Sequence, residues 1–199
     1  MKAVRNRHIA RTGHINTSHY IEIIRAITRA TYESLYMIDF KRRAFEYVSE
    51  NPLFLCGLSV QEVLEMGFDF YSRNVLPEDQ ELLFKIKTIG LDFYHKLPLS
   101  GRTSYTISYD FHLVNQDKTP ILIIYKLTPL YLSEDGEISK ALCIVGLSYH
   151  DSSGHICISK QDSQEIWKYN LNANKWSKEE KTKLSERELE MLRLYARGA

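Results

Sequence analysis

The stretch "RTSYTISYDFHLV", residues 102–114, decides the reading of the chain. Tyr105, Ile107, Tyr109, Phe111 and Leu113 point one way, and Thr106, Ser108, Asp110 and His112 point the other. A period of two is the signature of a strand with one apolar face and one wet face. "NQDKTP" (115–120) turns this strand and "ILIIYKLTPLYL" (121–132) returns it. "SEDGE" (133–137) turns again, and "ISKALCIVGLSY" (138–149) completes a three-stranded meander. The Asp135-Gly136 pair is the strongest turn signal, because Gly supplies positive φ without steric cost.

Upstream, "SLYMIDF" (34–40) and "AFEYVS" (44–49) are short aromatic and β-branched runs flanking the charged turn "KRR", the pattern of a hairpin. Ser59 stands three residues before Glu62, a capping box for a short helix that stops at Gly67. In "LPEDQELLFKIKTIGLDFYHKL" (76–97), Pro77 and the acids after it open a longer helix, and Leu82, Leu83, Ile86, Ile89 and Phe93 form its apolar stripe. Near the N-terminus, Tyr20, Ile24, Ile27 and Thr31, joined by Ile23 and Ala30, predict an amphipathic helix over 18–33, with Asn16, Thr17 and Ser18 as cap candidates. Its stripe must cover either its own domain or a second copy of the chain. Lys2, Arg5, Arg7 and Arg11 precede it as a basic arm, read as a solvated terminus.

Hairpin, short helices, long helix and three antiparallel strands come in the element order of a PAS domain. "FEYVSENPLFLCGLSVQEVLEMGFDFYSRNVLPEDQELL" (45–83) resembles the corresponding PAS segment in its words as well. The resemblance covers 34–150 and implies an α+β fold: a five-stranded antiparallel sheet with helices on one face, sensing ligands or mediating dimerisation. Beyond it, "GHICISK" and "EIWKYNLNANKW" predict two further strands about the turn "QDSQ", a hairpin or linker over 151–177 in which Trp167 and Trp176 pack.

"LSERELEMLRLYARG" (184–198) carries a second capping box, Ser185 with Glu188, a stripe of Leu189, Leu192 and Ala196, and a glycine stop at Gly198. It resembles the first helix of the LuxR-type helix-turn-helix. Leu184, Ser185, Arg187, Glu188, Glu190, Leu192, Leu194, Ala196 and Gly198 match in register. The resemblance implies that 178–199 begin a DNA-binding domain whose groove-reading helix lies downstream. The expectation is a transcriptional regulator cut inside that domain: full-length protein binds DNA as a homodimer, whereas residues 1–199 do not bind it specifically. Residues 184–197 are expected to be frayed or held by a neighbouring surface. The alternative is a PAS-fold interaction or small-molecule-binding module without DNA-binding output.

Composition bounds these readings. In 199 residues, 44% hydrophobic and 12% aromatic with net charge +1, there is enough apolar mass for a core and no field that marks a nucleic-acid or membrane partner. Cys56, Cys143 and Cys157 are few, odd in number and widely spaced, which suits a reducing cytoplasm. The apolar runs are too short to cross a bilayer.

Candidate chemistry is sparse, and no enzyme is expected. No phosphate loop or nucleophile motif appears. A photoactive flavin PAS domain needs its cysteine in a Gly-Arg-Asn-Cys-Arg-Phe-Leu type motif, whereas Cys56 sits in "FLCGLS" and reads as a small buried residue. His95, where some PAS domains place a haem ligand, reads as solvent-facing or as a helix cap. Asp69, Glu78 and Asp79 read as turn and helix-start acids. The remaining histidines are scattered without metal-ligand spacing, so no metal and no cofactor are assigned. Tyr36, Tyr47, Phe54, Tyr71, Tyr105 and Tyr109 are the candidate lining of a small-molecule pocket, with a closed, hydrogen-bonded core as the default expectation.

Overall fold

The computed structural model of the chain describes residues 17–181 and 184–198. The basic arm and Asn16 lie outside the described residues. In order, the elements are α1 (Thr17–Ala30), β1 (Ser34–Asp39), β2 (Ala44–Val48), α2 (Pro52–Leu55), α3 (Val60–Met66), α4 (Asp69–Asn74), α5 (Pro77–His95), β3 (Tyr105–Val114), β4 (Pro120–Leu132), β5 (Ile138–Leu147), β6 (Gly154–Lys160), β7 (Glu165–Asn170), β8 (Lys175–Glu180) and α6 (Glu186–Ala196). A 3-10 segment, Leu99–Ser104, joins α5 to β3.

All eight strands form one antiparallel sheet in the order β2-β1-β5-β4-β3-β6-β7-β8. The first five of these positions are the expected sheet. The other three correct the expected count of five strands, because β6 pairs along the free edge of β3 and carries β7 and β8 outward. The run expected as one strand over 165–176 is two. Asn170 accepts from the backbone N–H groups of Asn172 and Ala173, and Asn174 adopts φ 48°, so "NLNAN" is a turn.

β6 covers only the first half of the β3 edge. Over the second half the corner between α4 and α5 takes its place: Val75 bridges Leu113, and Leu76 N–H donates to the His112 carbonyl. Asp79 in the first turn of α5 accepts from His112 N–H at 2.6 Å and lies 2.8 Å from its Nδ1. Asp79 is thus buried and ties helix to sheet, beyond the helix-start role expected of it.

The core lies between the inner face of the sheet and α2–α5. Tyr36, Phe111, Leu113, Ile123, Cys143 and Val145 from four strands meet Phe54, Val63 and Phe70 from the helices, all wholly buried. Both expected start signals form: Ser59 and Glu62 make their capping box, and Pro77 occupies the first turn of α5. α1 lies on the opposite face, where Ile24 packs on Leu35 and Met37. Ile23 and Ile27 of its stripe stay exposed.

Candidate functional site

Between α5 and the inner face of the sheet lies a cavity of about 570 Å³, within the usual range of small-molecule sites. A closed core was expected; the cavity instead lies between Tyr71 of α4 at one end and Phe93 and Tyr94 in the last turns of α5 at the other. The middle is apolar, lined by Leu83, Ile86 and Leu91 from α5 and by Ile107, Leu127 and Ile158 from the strands. Gly90 marks the close approach of α5 to β3, since a Cβ there would stand 3.1 Å from Ile107 Cδ1.

A phenol cluster closes one end. The Tyr71 hydroxyl lies 2.8 Å from that of Tyr36 and 3.4 Å from that of Tyr125, which in turn lies 3.2 Å from Cys143 Sγ. Tyr109 stacks on Tyr125 with ring centroids 4.9 Å apart. Burial pushes the Tyr36, Tyr109 and Tyr125 phenols well above their ordinary value, and Tyr71 upward as well. Burial likewise pushes the Cys56 and Cys143 thiols up to about 12. These groups stay protonated, so they offer hydrogen bonds rather than nucleophiles.

The other end is built around Arg102, buried within the 3-10 segment. Its guanidinium donates to the carbonyls of Leu97 at 3.2 Å, Gly136 at 2.7 Å and His95 at 3.1 Å, fixing the end of α5 to the β4–β5 turn. It also lies 5.0 Å from the centre of the Tyr94 ring. The Tyr94 side chain lines the cavity end, and its hydroxyl is buried with no hydrogen-bond partner among the described residues. Burial pushes it to about 12. His95 faces Glu137 at 2.9 Å with both side chains about half exposed, in keeping with the solvent-facing role read for it.

β7 and β8 reach this site from the far side. Trp167 and Trp176 pack on Phe93 of α5 at 5.6 and 5.0 Å, and Trp167 also meets Tyr105 at 6.0 Å. The added strands therefore contact the same helix that roofs the cavity.

Of the residues read as pocket candidates, Tyr71, Tyr105 and Tyr109 line the cavity. Tyr36 stands behind it through its hydroxyl, and Phe54 is core, stacked on Tyr36 at 4.3 Å. Tyr47 was misplaced. A bulge pairs Met37 with Tyr47 but Ile38 with Phe45, so Glu46 is the extra residue and Tyr47 turns to the outer face beside α1. Tyr125, Phe93 and Tyr94 were missed; the alternation Ile121, Ile123, Tyr125 carried a signal for the first. The expectation that no histidines converge is also overturned: Asp110, His150 and His155 meet on the outer face of the sheet, through the pairing of β3 with β6. Asp110 is wholly buried there, so the outer face of β3 is not uniformly wet.

At the other end of the chain, α6 forms although none of its residues is buried. Ser185 N–H donates to Glu188 Oε2 at 2.8 Å, and Ser185 Oγ accepts from Glu188 N–H at 3.3 Å. The Ser185 N–H and the Ser185 hydroxyl, which donates to Glu188 Oε2 at 2.7 Å, hold the Glu188 carboxyl below its ordinary value. Gly198 adopts φ 76°, as a helix stop requires. Arg187 is exposed on the first turn.

Strand order β2-β1-β5-β4-β3, the helices α2–α5 on one face and a cavity beneath the longest helix together decide the architecture. The fold is PAS-like. Several solved structures are similar to it. The N-terminal domain of a diguanylate cyclase with PAS/PAC sensor from Marinobacter aquaeolei is 17% identical, covering 58% of this chain and 94% of that one, with a TM-score of 0.43. A sensory box histidine kinase/response regulator from Burkholderia thailandensis is 14% identical, covering 62% and 82%, at 0.41. A light-oxygen-voltage domain studied with a flavin analogue is 19% identical, covering 65% and 87%, at 0.46. No family model and no curated protein sequence matches the chain. No helix among the described residues is long and apolar enough to cross a membrane.

Proposed function

We propose that this chain is the sensory part of a cytoplasmic transcriptional regulator. Its PAS-like domain binds a small molecule and controls a LuxR-type helix-turn-helix, of which Ser185, Arg187 and Glu188 open the first helix. The role is binding rather than catalysis. The observation that carries the reading is the cavity of about 570 Å³, apolar in its middle and tipped with phenols at both ends. Such a lining selects a molecule with a flat or branched apolar body and a hydrogen-bonding group at each end. The Tyr94 side chain, whose hydroxyl has no partner among the described residues, and the Tyr71–Tyr125 pair are the groups that would meet those ends.

The contacts of Trp167 and Trp176 with Phe93 support a route for the output. A ligand that displaces α5 changes what β7 and β8 pack against, and β8 is the strand nearest in sequence to α6. Native mass spectrometry of the purified protein, with thermal shifts against a panel of small aromatic and isoprenoid compounds, tests the sensory half. A protein that retains nothing and is stabilised by no compound of this class refutes it. For the output half, the full gene product is tested for protection of DNA upstream of its own gene. Ligand binding without any DNA protection reduces the reading to a signalling module without DNA-binding output.

The active form in this proposal is a homodimer. Exposed Ile23 and Ile27 on α1 support it, since the stripe is only half covered by the chain's own sheet. Light scattering is expected to give twice the chain mass, falling to one in Ile23→Lys/Ile27→Lys. A strict monomer at high micromolar concentration overturns this part.

A further inference from the structure

Three side chains distant in sequence meet on the outer face of the sheet, away from the cavity. Asp110 of β3 is wholly buried, and its Oδ1 accepts from Ser148 Oγ–H at 2.8 Å. Its Oδ2 faces two imidazoles, His150 Nδ1 at 2.8 Å and His155 Nδ1 at 3.2 Å. The two rings stack almost parallel, centroids 3.8 Å apart and planes 9° from each other. His155 Nδ1 also lies 3.2 Å from the Ser152 carbonyl oxygen, and Ser148 Oγ accepts from His150 N–H at 3.0 Å.

The backbone is shaped to bring them together. Between the pairs Ser108↔Cys157 and Asp110↔Gly154, β3 advances two residues and β6 three, so β6 bulges beside Asp110. Gly154 at φ 109° and His155 at φ 44° take up the slack. Left-handed backbone at a non-glycine residue costs free energy and concentrates at functional sites.

A wholly buried carboxylate requires compensation of its charge. A divalent cation supplies it while leaving both imidazoles neutral, the form in which they ligate metal. Donors about 2.1 Å from an ion stand about 3.0 Å apart at right angles and about 3.4 Å apart in a tetrahedron, near the two observed separations of 2.8 and 3.2 Å. All three donor atoms lie within 4.8 Å of one another.

We propose that Asp110, His150 and His155 bind a divalent first-row transition ion of the zinc class. Two imidazole nitrogens with one carboxylate favour such ions over magnesium or calcium. The partly exposed histidines leave further positions to water, and the Ser148 hydroxyl orients the carboxylate from behind. The site ties β3 to the 148–155 connection at the root of the added strands. It does not depend on the cavity holding a ligand.

Untagged protein stripped with chelator is titrated with Zn²⁺ by calorimetry and with Co²⁺ by its ligand-field absorption. One ion per chain is expected, with a cobalt spectrum of nitrogen and oxygen ligation. The affinity is expected to fall at least about 100-fold in His155→Ala and in His150→Ala/His155→Ala, and to persist in His95→Ala. If the double variant fails to fold, His155→Ala decides, because its ring is exposed. Absence of saturable binding, or binding unchanged in His155→Ala, overturns the proposal and leaves the three residues as a hydrogen-bonded anchor.

Discussion

Gly136 shows how much one residue can hold. It sits at φ 80° in the β4–β5 turn, and a Cβ there would lie 2.2 Å from Leu99 Cδ2 and 3.0 Å from an Arg102 guanidinium nitrogen. Gly136→Ala is expected to cost about 2 kcal/mol, combining left-handed strain with displacement of Arg102, read from urea unfolding. Tyr71→Phe removes the hydroxyl between Tyr36 and Tyr125 and is expected to cost about 1 kcal/mol and to weaken any cavity ligand. The buried phenols also set a pH dependence. Unfolded phenols ionise near 10 while the folded ones hold their protons higher. Above about pH 10 the folded state therefore binds more protons, and stability falls as pH rises. Denaturant midpoints at stepped pH should show no contribution from this group below about 10 and a decline above it. The share of tyrosinate absorption that belongs to the buried phenols should appear together with loss of the fold. A midpoint that rises across that range contradicts the account.

At the scale of elements, the two capping boxes and the β3 period could be read from the sequence because their causes lie within a few residues. Ser59 with Glu62 and Ser185 with Glu188 complete their boxes using their own backbone. Tyr47 was not legible in the same way, because a one-residue bulge at Glu46, fixed by pairing with β1, reverses which face follows it. The Asp110–His150–His155 cluster depends on where β6 docks, and the cavity on how α5 lies over the sheet; neither is local. The strand extension yields its own prediction. Trp176 is only partly buried, so Trp176→Ala is expected to cost less than the about 3–5 kcal/mol of a buried tryptophan. Hydrogen exchange should quicken in β7, β8 and the last turns of α5, while β1 and β5 stay protected. Uniform acceleration across the sheet would show that the extension is not a separable layer.

For the whole molecule, the added strands settle where the sheet ends. Without them the rim would be β3, whose Tyr105, Ile107 and Tyr109 make a long, aromatic, β-prone strand. With them the rim is β8, "KWSKEE", where Lys178 pairs with Glu165, and Lys168 of β7 pairs with Glu179 at 2.6 Å. The opposite rim, β2, is five residues long and kinked at charged Glu46. Short, bulged or charged edges resist joining the strands of a neighbouring molecule. Replacing Lys178, Glu179 and Glu180 by Val, Thr and Val should leave the melting temperature near its original value, yet light scattering should grow with concentration. Unchanged scattering would show that the charges have no such role. Seen this way, β6–β8 act as a selvedge, a finished border that keeps the aromatic strand sealed within the sheet and stops the sheet from growing one molecule onto the next.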